Sequence, residues 1–401
     1  MSVPVWIPRR YESRYSLLGA MAAELSEAFA ARGYDARDDM PDGSVAGIYI
    51  FFNMPSAIEA IPPAVRRPGA RVALIQILVD HPFALDAGIM DQTSKLPNFR
   101  LALPSIDGLH LLRLRWPMLR HAHMPHGIAR PSLIAAELCT PEALSQRPHD
   151  VVVAGSIHSE QGVRELKWAL PAQAHPWLDE IVKLMLESPA MPYEQALDCV
   201  CGSRSVITGN WPMAAAMWRA VAADFNRQRR IQLVQSLQGL DVAVFGSDAW
   251  EEICTGSIKY TGNVEYADVP TALATGRVCL AWGPTQFPQT FSERLLLSMA
   301  SGCASVCEDR YLVRQHFTPE HCVGFDPQQS DSARKTIDSL LNDCSRLHSM
   351  SVAGRTIAES NHLWEHRVDK LASLASEAVS RPLAPAPTQN QSQSQSVPAG
   401  A

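Results

Sequence analysis

Long apolar runs, an excess of positive charge and any ordered spacing of cysteines are all missing from this 401-residue chain. No window reaches the roughly 18 consecutive apolar residues that a membrane span needs. The apolar stretch Met1–Trp6 is too short for a secretion signal and runs into Arg9 and Arg10. The expected compartment is therefore the cytoplasm. Lys and Arg number 35 against 41 Asp and Glu, a formal charge of −6. That balance excludes a protein that coats nucleic acid, which needs a basic face to release counterions. It leaves room for a local basic pocket that holds a small anion. Nine cysteines occur with no Cys-x-x-Cys pair, and several, such as Cys279, sit inside apolar runs. They read as buried free thiols, neither a disulfide framework nor a zinc site. No Asp-x-Asp signal for a metal-bound diphosphate stands in a plausible loop, and no internal repeat is evident.

What is present is ordinary globular material. Hydrophobic residues make up 46% and charged residues 19%, enough to build real cores. The length fits two domains at about 100–200 residues each. Apolar runs at Val3–Ile7, Ile48–Phe52, Val72–Val79 and Leu101–Leu103 read as strands separated by helical patterns. This unit, residues 1–140, is expected to form an N-terminal Rossmann-like domain.

A polar stretch over Thr140–His149 reads as a linker. The buried strand Asp150–Ala154 follows it and ends in Gly155-Ser156. A helix-rich block over about 161–238, with a break near Cys201-Gly202-Ser203, then interrupts the alternation. Strands return at Val242–Phe245, Ile258–Tyr260, Val278–Trp282, Ala304–Cys307 and Cys322–Phe325, with helices between them at about 269–275, 291–301 and 332–343. The fold class expected is α/β: two doubly wound Rossmann-like domains facing a cleft, with a helical insertion early in the second. The second domain is set at residues 148–345. Helices over 346–379 pack back toward the first domain, and the Pro-, Gln- and Ser-rich residues 380–401 form a disordered tail.

The chemistry concentrates between about 245 and 305. Thr290 followed by Glu293 fits a capping box, so a helix is expected to open there. Amides at a helix N-terminus that follows a strand suit a diphosphate, and Arg294 in the first turn adds a charge for a leaving nucleotide. The competing reading makes Glu293 a cap and Arg294 a solvated surface residue. Gly155 and Gly246 stand at strand ends, where turn geometry alone explains a lone Gly.

Gly262, Val264, Tyr266, Val269 and Pro270 are followed by Pro284, by Glu293-Arg294, and by Met299 and Gly302. Farther on stands His362-Leu363-Trp364-Glu365-His366-Arg367. In this order the motifs resemble the C-terminal half of group-1-like glycosyltransferases of the GT-B fold, in the branch named for a spore maturation protein. The resemblance covers about residues 150–375. It implies a nucleotide diphosphate sugar donor, with Gly262 and Val264 bordering the base and Arg294 facing the diphosphate. The donor-binding candidates are Gly155, Ser156, Gly246, Ser247, Tyr260, Gly262, Val264, Tyr266, Pro284, Ser292, Glu293 and Arg294. Many retaining relatives carry two glutamates eight residues apart, and those places here hold Gln289 and Leu297. A leucine cannot hydrogen-bond a ribose hydroxyl, so the ribose would be anchored differently, through Glu293, or donor binding is impaired.

On the acceptor side, Asp80 and His81 directly follow a strand, at its carboxyl end. His121, His123 and His126 precede Gly127. An Asp or His beside the acceptor hydroxyl would act as general base, and His126 would touch the donor sugar; a satisfied loop histidine is the plain alternative for His81 and His126. The three histidines lack helical phase and supporting carboxylates, so no metal site is expected. Arg294, together with Lys259 and helix amides, would stabilise the leaving group without a metal. The catalytic set is then Asp80, His81, His126 and Arg294, with no cofactor beyond the donor. The acceptor is an undefined glycan, lipid or protein hydroxyl. No transmembrane segment and no nucleic acid are expected, and peripheral membrane contact stays open. Two other classes share the architecture: a non-catalytic sugar-nucleotide binder or scaffold, motivated by Leu297, and a sugar-nucleotide epimerase.

Overall fold

In the computed structural model, residues 2–9, 11, 16–53, 62–67, 69–105, 108–202, 209–329 and 331–379 are described. The tail expected over 380–401 lies outside them, as do residues 203–208 just after the helix break. That break is real: the helix Tyr193–Cys201 ends at Gly202, whose φ of +65° closes it.

Twelve strands form two six-stranded sheets. The first holds β1 (Pro4–Trp6), β2 (Asp35–Arg37), β3 (Gly47–Phe52), β4 (Val72–Ile77), β5 (Phe99–Leu103) and β6 (His121–His123), in the order β2-β1-β3-β4-β5-β6. The second holds β7 (His149–Ala154), β8 (Val242–Phe245), β9 (Ile258–Gly262), β10 (Gly276–Ala281), β11 (Ala304–Glu308) and β12 (Cys322–Phe325), ordered β12-β11-β10-β7-β8-β9. Every pairing is parallel. Strands buried on both faces read as near-continuous apolar runs, and β3, β4 and β5 are fully buried along their length, with Gln76 and Arg100 their only polar side chains apart from the Tyr49 hydroxyl. In the second sheet the order reverses between β7 and β10, the switch point where doubly wound sheets leave a crevice at their carboxyl ends.

Three departures from the sequence reading concern local structure. Edge strands β2 and β6 were not anticipated; each has three residues and none fully buried, so neither carries an apolar run. The linker contains a short helix, Pro141–Ser145, capped by Thr140. The helix after β10 starts at Glu293 and its cap is Ser292, whose hydroxyl accepts the Arg294 N–H. Thr290 is buried and donates instead to the Pro104 carbonyl at 3.1 Å. That bond joins the loop after β5 to the loop after β10, so the carboxyl ends of the two sheets meet.

The helical block inserted after β7 covers the first sheet. Leu178, Ile181, Tyr193, Leu197, Trp211 and Trp218 pack into one core with Tyr49, Phe51, Leu74 and Leu101. The helix Trp211–Gln235 then runs on into the second domain, where Leu233 and Val234 join the core of β7 and β8. Its 25 residues reach about 38 Å, so one rigid rod spans both sheets. The helix Glu365–Val379 returns to lie on β4 and β5.

Candidate donor pocket and cleft

At the switch point the backbones of two turns come into contact. A Cβ on Gly246 would stand 2.3 Å from the Gly155 carbonyl oxygen, and one on Gly155 would stand 2.6 Å from the Trp282 ring. Only glycine permits this approach. The arrangement is pinned by hydrogen bonds: Gly155 N–H to Phe245 O at 2.9 Å, Gly246 N–H to Gly262 O at 3.0 Å, and the Trp250 indole N–H to Gly155 O at 2.7 Å. Ser247 accepts from Ile157 N–H at 3.0 Å and donates to Ile157 O at 2.6 Å, tying the loop after β8 to the loop after β7.

These turns and the first turn of the Glu293–Ala300 helix enclose a pocket of about 270 Å³. Gly155, Ser156, Gly246, Val264, Tyr266, Glu293 and Arg294, all singled out in the sequence, line it. Leu297, one turn after Glu293, lines it too, with Leu17, Phe245 and Val269. The pocket thus has a polar end at the glycine turns and an apolar end around Leu297. At the position where many relatives carry a glutamate, Leu297 is 2% exposed among other apolar groups.

Other sequence candidates sit beside the pocket and serve its walls. Tyr260 donates its hydroxyl to Gly246 O at 3.1 Å and to Asp248 Oδ1 at 2.8 Å. Gly262 receives the Gly246 N–H, Ser292 caps the helix, and the Pro284 carbonyl accepts from Arg310 at 2.9 Å. Lys259, expected as an aid to the leaving group, lies on the surface 3.5 Å from Asp241.

The charge at the polar end is more positive than the sequence motifs suggest. Arg294 has a buried Nη1 without a hydrogen-bond partner, and its Nη2 lies 4.0 Å from Glu293. Arg230, absent from the sequence candidates, also lines the pocket. Its Nη1 donates to the Ser156 carbonyl, and its guanidinium lies 5.1 Å from the Trp282 ring centroid. Burial first, and the Arg294 charge second, push the Arg230 guanidinium down to about 9, which leaves it cationic at neutral pH. Behind them Glu308 accepts from Arg310 Nε at 2.9 Å and from Gly283 N–H at 3.2 Å, with Arg229 at 3.6 Å. The Arg229 Nε is buried without a hydrogen-bond partner, and its Nη2 has only the longer ion pair with Glu308. The guanidiniums of Arg229, Arg230, Arg294 and Arg310 outnumber the carboxylates that bear on them, Glu293, Glu308 and Asp326, and the Arg294 Nη1 is a buried donor left over for an anion.

Across the cleft, Asp80 follows β4. Asn53, after β3, donates to the Asp80 carboxylate at 2.5 Å and accepts the Val79 N–H at 2.7 Å. Asn53 holds φ at +40°, a conformation rare for a residue with a side chain. Asp80 keeps contact with water at the cleft mouth while both domains crowd around it. That crowding, reinforced by the Glu293 charge, raises its carboxyl above the ordinary value.

His81 turns the other way. Its ring stacks on Trp218 at 4.3 Å and on Phe83 at 5.0 Å, its Nδ1 accepts the Phe83 N–H, and its Nε2 lies 3.6 Å from Glu194. A ring 3% exposed with both nitrogens engaged is not placed to deprotonate an acceptor, which leaves Asp80 as the one of the two candidates that faces the cleft. His126 is buried near the Glu293 charge, and burial lowers its imidazole. His123 points a ring nitrogen at Pro104 O, 3.2 Å away. Among the described residues no group of three or more His, Cys, Asp or Glu is arranged to hold a metal ion, and no helix is long and apolar enough to cross a membrane.

Residues 227–373 match the family model described as "Glycosyl transferase-like". No curated protein matches the chain. Among solved structures, Anabaena HepE in complex with UDP-glucose aligns at 11% identity over 94% of this chain and 100% of its own, with a TM-score of 0.50. T4 phage BGT in complex with its UDP-glucose substrate aligns at 10% identity over 94% and 99%, TM-score 0.49. Sucrose-phosphate synthase from Thermosynechococcus elongatus aligns at 10% over 92% and 81%, TM-score 0.47. The chain has the two-domain GT-B architecture of the first of these, and its residues 227–373 match a glycosyl transferase-like family model.

Proposed function

We propose that the protein moves a glycosyl group from a nucleoside diphosphate sugar to an acceptor hydroxyl, without a metal ion. The observation that carries this reading is the buried, unpartnered Nη1 of Arg294 beside Arg230, at a pocket lined by glycine turns. The diphosphate lies at the polar end and the nucleoside at the apolar end. The bond between the anomeric carbon and the diphosphate oxygen breaks, and Arg230 and Arg294 take up the charge that develops on that oxygen. The acceptor oxygen bonds to the anomeric carbon, and its proton passes to Asp80, held by Asn53. Two fixed guanidiniums supply the positive charge that a metal would otherwise bring. The similarity to a structure holding UDP-glucose supports the donor class, and the family match supports the transferase class. The spore-protein branch rests on the motifs alone.

A second reading keeps the pocket and drops the chemistry. Leu297 places an apolar side chain where a ribose partner is expected, which suits a sugar-nucleotide binder with no turnover. One experiment separates the two: thermal stabilisation and nucleotide release with uridine, guanosine, thymidine and cytidine diphosphate sugars, with Arg294→Ala in parallel. Release of one nucleotide diphosphate, abolished in Arg294→Ala, supports transfer. Stabilisation without release supports the binder, and no response to any donor rejects both.

A further inference from the structure

We propose that a second anion site, built for a phosphate group, lies between the helix Tyr311–His316 and the junction of the helices Cys344–Asn361 and Glu365–Val379. A polar hollow of about 500 Å³ opens there, lined by His316, Ser360, Asn361, His362, His366 and Arg367 among others, with no carboxylate in its lining.

The positive charge at its floor lacks a counter-charge. Arg367 is 8% exposed and spends its donors on neutral groups: Pro125 O, His126 O and Asn361 O at 3.0 Å each, and His362 Nδ1 at 3.1 Å. Burial lowers the guanidinium only to about 10, so it stays charged. A buried cation without a carboxylate is expensive, and an incoming anion offsets that cost.

The imidazoles are pre-set as donors. His362 Nδ1 accepts from a guanidinium and His366 Nδ1 accepts the Leu363 N–H at 3.1 Å, so each neutral ring carries its proton on Nε2. The His316 ring centroid stands 5.8 Å from that of His362. The surrounding charges reinforce one sign. His123 and Lys370 bear on His316, and His321 on His362. Arg32, Arg130 and Glu365 bear on His366, and Glu365 is already bound by Arg130 at 2.8 Å. Burial first, and then Arg367, Lys370 and the neighbouring imidazoles, hold His316 and His362 below the ordinary imidazole value.

The hollow is a neighbour of the donor pocket. Phe291, two residues before Glu293, packs 5.9 Å from the His362 ring, and the His126 carbonyl that holds Arg367 belongs to a residue whose imidazole feels the Glu293 charge. The phosphate is either a free ion or a group carried by the acceptor.

The test is calorimetric titration of the whole protein with inorganic sulfate, which stays dianionic, and with inorganic phosphate, at pH 7.5 and pH 6 with chloride balancing ionic strength. Saturable binding is expected, tighter at pH 6 because binding draws protons onto His316 and His366. His316→Ala and His366→Ala should each weaken it about tenfold, the loss of one hydrogen bond to a charged group, while circular dichroism stays unchanged. His366→Gln, which keeps an amide donor, should restore most of it, and Arg294→Ala should leave it intact. Glycerol phosphate binding as tightly as phosphate points to an acceptor-borne group, and binding of the inorganic ions alone points to a free effector. Binding that UDP displaces and Arg294→Ala abolishes would place the ion in the donor pocket and overturn the proposal. So would heats no larger than those of chloride.

Discussion

The indole of Trp364 donates its N–H to the Glu24 carboxylate at 2.9 Å, joining the start of the C-terminal helix to the helix Leu17–Ala31 of the first domain. Above about pH 7, where Glu24 is ionised, the hydrogen bond is charge-assisted. Trp364→Phe keeps most of the packing and leaves Glu24 without this donor, so a loss of about 1.5–3 kcal/mol in unfolding free energy is expected. Denaturant titration of both proteins measures it.

Glu24 also sets a pH dependence of stability. Burial is the main cause that raises its carboxyl to about 7, against an unfolded value near 4.5. The folded state therefore binds more protons than the unfolded state between those values. Its contribution is fully present below pH 4.5 and is lost as pH rises to 7. Glu24→Gln keeps an acceptor for Trp364 and removes the titration. It should be more stable than the parent above pH 7, by on the order of 2–3 kcal/mol, and equal to it below pH 4.5. Melting curves across that range decide it; a parent and variant that stay parallel would remove Glu24 from the account.

Arg230 and Arg294 act on the same leaving group, so their losses should not add. Each alanine variant should lower the rate of nucleotide release about 10²–10³-fold, with the double variant only slightly worse. Arg294→Lys keeps the charge but not the fork and should recover only part of the rate. Single-turnover release measured on all four proteins tests this.

The second sheet was legible because each of its central strands is an uninterrupted apolar run: Val151–Ala154, Val242–Phe245 and Val278–Ala281 are buried on both faces. The glycine turns and Arg294 were legible because they sit directly at strand and helix ends. Arg230 was not. It belongs to the run Arg227-Gln228-Arg229-Arg230 inside a long helix, and such a run ordinarily marks a solvated face. Only the course of the helix between two sheets turns Arg229 and Arg230 inward. Asn53 escaped notice for a related reason, since nothing in Phe52-Asn53 announces a positive φ. The placement of His81 depends on Trp218 and Glu194, more than a hundred residues away, and no local pattern encodes that contact.

Asp80→Asn should preserve donor stabilisation and lower the transfer rate about 10²–10⁴-fold, the range of a lost general base. The reactive form is the carboxylate, and burial followed by Glu293 raises its proton affinity. The rate should therefore fall with acid earlier than for an ordinary carboxylate, its acid limb displaced upward in pH. Asn53→Ala removes a group that favours the charged form and should move that limb further upward. His81→Ala should cost stability and, because His81 also favours the charged form of Asp80, should displace the limb upward while keeping the full rate above it. A pH–rate profile of the four proteins separates a base from a packing residue.

The close approach of Gly246 to Gly155 makes the donor pocket sensitive to a single methyl group. In Gly246→Ala the new Cβ would stand 2.3 Å from Gly155 O and 2.8 Å from its carbonyl carbon. Both are backbone atoms, and the oxygen is already fixed by the Trp250 indole at 2.7 Å. Relief requires the two turns to part, at about 1–3 kcal/mol in stability. The same movement displaces Ser156, whose carbonyl holds Arg230, so donor affinity should fall along with stability. Gly209→Ala, where a Cβ meets nothing within 4 Å, is the matched control and should stay within about 0.5 kcal/mol of the parent. Melting temperature with and without UDP reads both effects at once. Normal stabilisation by UDP in Gly246→Ala would mean that the nucleotide binds away from these turns.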